Sequence, residues 1–257
     1  MNICNITVDE AYEYLVQQDC ADILSAGLNE EIPPKWDDLV RLYKLIRDRK
    51  PYQILEFGSG FSTVMMAHAL KQNWNDYLKI HGINAGGGGS NLDYPQPKIV
   101  SLESAKKWRE NTMVKIKAAE LSDFSEILIS TVSIIEHQGQ LCHVYDNLPD
   151  IVPDFVYLDG PDPQNVQGSV NGLTFKNPKR TVMSVDILKY ESTLLPGFFM
   201  IAAGRSNNAR FLSRTLTRDY EVKYHEEADV TTFELLEPRL GRKNIYGWEA
   251  YNQQIEP

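Results

Sequence analysis

The run Tyr52-Gln53-Ile54-Leu55-Glu56-Phe57-Gly58-Ser59-Gly60-Phe61-Ser62-Thr63 constrains the fold of this chain more than any other segment. An apolar stretch of strand length ends in an acid, drops into a glycine turn and meets residues suited to open a helix. Gly58 and Gly60 reach backbone angles closed to other residues, and without side chains they let a ligand lie against the main chain. Ser62 and Thr63 fall where the helix begins, so free N–H groups and the positive helix end face the crevice beyond the strand. Glu56, at the carboxyl end of a buried strand, is costly there unless donors or a cationic ligand pair with it.

A second unit follows the same grammar. Lys98-Ile99-Val100-Ser101-Leu102-Glu103 is a short apolar run ending in an acid, ahead of a helical stretch from Ser104 to Leu121. A carboxylate in that place can accept both hydroxyls of a ribose. The NAD fingerprint asks for a third glycine where Thr63 stands, and a pyrophosphate would be repelled by Glu56 beside its own turn. On Glu56, Gly58 and Gly60 the chain resembles class I S-adenosylmethionine-dependent methyltransferases, whose first motif is an acid, any residue, glycine, any residue, glycine; Ser62 replaces their third glycine. The resemblance covers about residues 50 to 237. It implies a Rossmann-like domain with S-adenosylmethionine as cofactor, Glu103 as its ribose ligand, and Ser59, Ser62, Thr63 and Ser104 beside it. Glu103 comes much later after the glycine turn than the usual spacing of about 20 residues.

The excess is the segment from Asn73 to Gln96, which contains Gly86-Gly87-Gly88-Gly89-Ser90. The favoured reading is a flexible surface excursion between the first helix and the second strand. An engineered linker is a second reading. A phosphate cradle is the least favoured, because no strand precedes the tract.

Residues 8 to 27 and 35 to 50 read as two amphipathic helices separated by Pro33-Pro34 and closed by Pro51. Between Glu126 and Tyr145 alternating residues on either side of His137-Gln138-Gly139-Gln140 read as a hairpin. Then come a strand over Asp154 to Leu158, a helix around Val182 to Leu194, a strand from Gly197 to Ala203, a helix from Asn207 to Arg218, and strands Tyr220 to Glu226 and Thr231 to Leu236. The expected fold is a doubly wound α/β domain over residues 51–237: a seven-stranded, mostly parallel sheet with an antiparallel last strand and an inserted β-hairpin. An N-terminal helical cap (1–50) and a C-terminal tail (238–257) flank it. In the tail Tyr246, Trp248 and Tyr251 suit docking onto the body or a partner subunit, so a homodimer is one expected arrangement.

A sulfonium methyl is already electrophilic, so most catalysis comes from placing a nucleophile in line with it and excluding water. A hydroxyl nucleophile also needs its proton taken. Asp159, in Leu158-Asp159-Gly160-Pro161, is the first candidate: as a general base, a substrate anchor, half of a metal site with Asp162, or a turn residue capping backbone amides. His143 is a second candidate base. Arg205 and Arg180 suit an anionic substrate group, or pair with nearby acids and organise loops, and Asp162 is the third candidate for binding substrate, or a solvated acid between two prolines. Some small-molecule O-methyltransferases bind magnesium through an acid after the fourth strand and an acid pair after the fifth. Here the fifth strand runs into Gly204-Arg205-Ser206-Asn207-Asn208, and no metal is expected.

Across 257 residues the net charge is −9, which removes non-specific attraction to nucleic acid. Cys4, Cys20 and Cys142 lack metal-ligand spacing, the N-terminus lacks a secretory pattern, and the longest apolar run, Phe198 to Ala203, is far short of a membrane span. These features point to the cytoplasm, and the resemblance implies a small-molecule acceptor methylated on oxygen or nitrogen. The alternative is a non-catalytic binding or scaffold protein of the same fold, and an NAD-linked oxidoreductase stands third.

Overall fold

The computed structural model describes residues 6–25, 33–80 and 96–238. The glycine tract, Cys4, His81 and the aromatic tail residues lie outside the described residues. At the N-terminus Thr7 and Glu10 form a capping box, each side chain accepting from the other's backbone N–H (3.3 and 3.0 Å), and start α1 (Val8–Gln17). The expected single helix over 8–27 is two: Asp19 takes φ 56°, a left-handed angle that ends α1 before α2 (Ala21–Ser25). Helix α3 (Trp36–Arg49) ends at Lys50, which Pro51 keeps out of the right-handed helical region; its φ is 50°.

Strand β1 (Gln53–Phe57) leads into α4 (Phe61–Ile80), and β2 (Lys98–Glu103) into α5 (Lys106–Ala118). Residues 73–80 of the expected excursion are helix, and residues 81–95 lie outside the described residues. Asn73 donates to the Ile46 carbonyl (2.9 Å) and, with buried Trp74 and Leu78, holds the last turns of α4 in the core.

The remaining strands are β3 (Ser125–Ile129), β4 (Val132–His137), β5 (Gln140–Tyr145), β6 (Phe155–Leu158), β7 (Val166–Gln167), β8 (Phe199–Ala203), β9 (Tyr220–His225) and β10 (Val230–Leu235). Helix α6 (Asp186–Tyr190) precedes β8, and α7 (Ser206–Thr215) follows it. Seven strands form one sheet in the order β3-β2-β1-β6-β8-β10-β9, with β10 antiparallel to both neighbours and the β3-to-β8 block parallel. This is the doubly wound sheet expected.

The hairpin is narrower than its alternation suggests. Residues 125–129 are the outer parallel strand of the main sheet, and only β4 and β5 pair as a hairpin, turning through Gln138 (φ 50°) and Gly139 (φ 74°). Strand β7, too short to read from a pattern, adds to β4 and completes a separate three-stranded sheet. The helix expected over 182–194 contracts to α6 and a 3₁₀ turn.

Alternate strand residues feed two cores. Ile54, Phe155 and Phe199 meet α1, α3 and α4 on one face, while Leu55, Val156 and Met200 meet the hairpin, α6 and α7 on the other. Chain order runs outward from β1 to β3 and resumes at β6 on the other side of β1, so a crevice opens at the carboxyl ends of β1 and β6.

Candidate functional site

A cavity of about 530 Å³ lies at those strand ends. Its centre is formed by two turns in backbone contact. Gly58 has φ 111°, and the Gly160 turn after β6 crosses it so closely that a Cβ on Gly160 would lie 2.8 Å from the Gly58 nitrogen and Cα. Both turns tie to the sheet: Gly58 N–H donates to the Leu102 carbonyl (2.8 Å) and Asp159 N–H to the Phe57 carbonyl (3.2 Å). Gly60 differs from the expectation. Its φ lies outside the left-handed range and a Cβ there would meet open space, so its small size matters only for what approaches from the cavity.

Glu56 is 1% exposed on the α3/α4 face. Ser62 Oγ donates to one carboxylate oxygen, and Thr63 Oγ1 and Ser101 Oγ (2.6 Å each) donate to the other. Burial pushes its pKa up to about 7, and the three hydroxyls pull against that. No cation pairs with it among the described residues.

Glu103 is 6% exposed and lines the same cavity. One oxygen accepts from the amides of Ser104 (2.7 Å) and Ala105 (2.8 Å), the other from Ser59 Oγ (2.8 Å). Ser104 is not on the cavity wall; its hydroxyl accepts from Asn165 Nδ2 (3.2 Å) and so links the β2 turn to the segment after β6. Thr63 likewise stands behind the wall, holding Glu56.

Across the crevice Asp159 is exposed and lines the cavity. Crowding by protein atoms raises its pKa, and the Arg205 guanidinium opposes that rise. Arg205 Nη2 donates to the carbonyls of Asp159 and Pro161, the latter at 3.1 Å. Asp162 also lines the cavity, but its Oδ1 accepts from Gln164 N–H (2.9 Å) and caps a 3₁₀ turn.

The structure brings Glu56, Gly58, Ser59, Gly60, Ser62, Glu103, Asp159, Asp162 and Arg205 to one cavity and leaves Thr63, Ser104, His143 and Arg180 off its wall. His143 is 0% exposed, and burial drives its pKa down to about 3, so near neutral pH it is an uncharged core residue with no route to a ligand in the cavity. Arg180 does not line the cavity; its Nη1 donates to the Thr174 carbonyl and organises the loop before α6.

Several residues of the site escaped the sequence reading. Ser101 faces Glu56 in the β1–β2 register, and its signal was a hydroxyl inside an otherwise apolar strand. Trp108, Thr112 and Lys115 recur at helical spacing on α5, with the Lys115 ammonium 5.0 Å from the Phe61 ring centroid. Pro33, Pro34, Lys35 and Asp38 reach the cavity from the segment opening α3, and Tyr157 from β6. Among the described residues no group of three His, Cys, Asp or Glu side chains is placed to hold a metal ion, and no helix is long and apolar enough to cross a membrane.

No protein-family model matches the chain, and no curated protein does. Among solved structures it is similar to an O-methyltransferase from Bacillus cereus in complex with SAH, at 17% identity over 89% of this chain and 92% of that one, with a TM-score of 0.42. It is similar to the SAH-bound methyltransferase PaMTH1 of Podospora anserina at 14% identity, over 92% of this chain and 91% of that one, with a TM-score of 0.47. It is also similar to the O-methyltransferase TomG of Streptomyces achromogenes in complex with SAM at 13% identity, over 92% and 93% of the two chains, with a TM-score of 0.43. The fold assignment rests on this chain's own strand order and pairing.

Proposed function

We propose that this protein is an S-adenosylmethionine-dependent methyltransferase that transfers a methyl group to a small molecule. The observation that carries the proposal is the pair of acids flanking the glycine turn. Glu103 accepts three short hydrogen bonds from Ser59, Ser104 and Ala105, and a carboxylate has about four lone-pair sites, so capacity remains for a ribose hydroxyl. Glu56 is a buried acid with hydroxyl donors and no cation among the described residues, an arrangement suited to a cationic ligand rather than to a pyrophosphate.

In this reading Glu103, Ser59 and Gly60 hold the cofactor, and Ser62 and Thr63 keep Glu56 in place. When bound, the cofactor supplies an electrophilic methyl group. Asp159 takes the acceptor's proton, a role that favours oxygen over nitrogen because a hydroxyl loses its proton on methylation and a neutral amine does not need a base to attack. Its raised pKa makes it a stronger base than an ordinary carboxylate. Arg205 holds the Asp159 turn by its carbonyls. The second reading, a binding or scaffold protein of the same fold, is favoured by Ser62 in place of glycine and by the missing acids after β8. Titration calorimetry with S-adenosylmethionine and its demethylated product tests the binding common to both, and absence of binding by either ligand overturns the proposal. Transfer of labelled methyl to any acceptor discards the scaffold reading.

A further inference from the structure

Tyr157 lines the cavity and is 5% exposed. Its hydroxyl has no hydrogen-bond partner among the described residues. The same is true of Tyr145 and Tyr220, but their hydroxyls are sealed in the core, whereas that of Tyr157 is open to the cavity. A phenol taken out of bulk water is costly unless a ligand or a water supplies its partner.

Its place in the sheet decides which ligand group it meets. In the β1–β6 register Tyr157 stands beside Glu56, one strand interval of about 4.8 Å away on the same face, and Asp159 follows two residues later. With Glu103 holding the cofactor and Asp159 taking the acceptor's proton, the methyl group crosses the stretch between them. Tyr157 walls that stretch.

The hydroxyl stays protonated there. Burial holds its pKa well above the ordinary 10, and the carboxylates of Asp159, Asp38 and Glu56 push the same way against the Arg41 guanidinium. Those carboxylates orient the O–H dipole with its hydrogen toward them, which leaves the oxygen lone pairs to a ligand. A sulfonium polarises the C–H bonds of its methyl group and makes them donors to such an oxygen, whereas a neutral thioether offers no methyl and no charge.

We infer that Tyr157 is a specificity-determining residue that reads the charge on the cofactor's sulfur, its hydroxyl oxygen accepting from the methyl C–H groups of the sulfonium and losing that contact in the demethylated product. The inference rests on the methyltransferase reading. It gives the site a means of favouring fresh donor over spent cofactor, which differ only in that methyl group and its charge.

The test is titration calorimetry of S-adenosylmethionine and of the demethylated cofactor into the full chain at one pH, wild type beside Y157F. Wild type is expected to bind S-adenosylmethionine at least about tenfold more tightly than the demethylated cofactor, and Y157F, which keeps the ring, to cut that preference about threefold, the scale of one C–H···O contact. The loss falls on S-adenosylmethionine alone: affinity for the demethylated cofactor stays within about twofold, whereas a merely structural role weakens both ligands together. Where Y157F unfolds early in a thermal scan, Y157M, also without a hydroxyl, supplies the readout. Equal affinities in wild type, a preference unchanged in the variant, or equal weakening of both ligands overturns the inference. No binding of either ligand to wild type fails the methyltransferase reading, whereas binding of both with equal affinity fails the reading of charge alone.

Discussion

At the β2–β1 end of the cavity, Glu56 and Glu103 together accept from the hydroxyls of Ser59, Ser62, Thr63 and Ser101 and from the amides of Ser104 and Ala105. At the β6–β8 end, Asp159 has no donor among the described residues, and Arg205 is held only by backbone carbonyls. The first end is rigid before any ligand arrives, because each acid is oriented by its neighbours. The second leaves the Asp159 carboxylate uncommitted among the described residues. A binding cradle gains from preorganisation, whereas a reacting group must keep its lone pair or proton available. In the proposed reading the cofactor binds at the first end and the chemistry takes place at the second.

The sharpest way to break that division is Asp159→Asn. It keeps size and turn geometry and removes the base, so methyl transfer to a hydroxyl acceptor is expected to fall about 10³-fold while affinity for the demethylated cofactor stays within about twofold. A labelled-methyl assay beside calorimetry reads both, and an undiminished rate would place the base elsewhere.

Next in size is Gly160→Ala, which strikes the contact joining the two ends. The added Cβ would press on Gly58 backbone at 2.8 Å, and backbone on both sides leaves no flexible atom to yield. A stability loss of about 3 kcal/mol is expected in denaturant unfolding, and a loss below about 0.5 kcal/mol would mean that the turns separate freely.

A smaller effect follows from Glu56. Its folded pKa of about 7 lies above its ordinary 4.5, so between those values the folded protein holds a proton that the unfolded chain releases, and this group's contribution to stability declines as pH rises from about 4.5 to about 7. A cationic ligand favours the ionised form. Affinity for S-adenosylmethionine is therefore expected to rise about tenfold between about pH 5.5 and about pH 7.5 and then level off. Glu56→Gln flattens the profile; a slope unchanged in that variant would assign the proton to another group. Smallest of all, Arg180→Ala is expected to change cofactor affinity less than about twofold, since its side chain serves a loop outside the cavity.

The cradle was legible because strand, acid and glycine turn are contiguous in the chain. Glu56, Gly58 and Ser59 read as a unit, and Glu103 followed from a second strand of the same form. What was not legible depends on tertiary neighbours. His143 alternates with Tyr145 on a hairpin strand in a way that cannot distinguish a crevice from a core, and the packing of β5 against Ser184 and α6 buries it. Gly160 looked like ordinary turn chemistry, because its need for glycine arises from Gly58, about a hundred residues earlier in the chain. Lys35 and Asp38 carry no local mark of a site; the placement of α3 over the strand ends makes them wall. The start of the expected excursion at Asn73 failed for a similar reason, since that side chain is tied by tertiary contact to the Ile46 carbonyl of α3.

The central claim, that the β2–β1 end is the cofactor cradle, is tested most directly by titrating the demethylated cofactor into wild type and Glu103→Ala while following thermal unfolding of both. The account predicts affinity lower by about 30-fold, the loss of a charged acceptor for ribose hydroxyls, with little change in the unfolding midpoint. Equal affinity in the two proteins would contradict it.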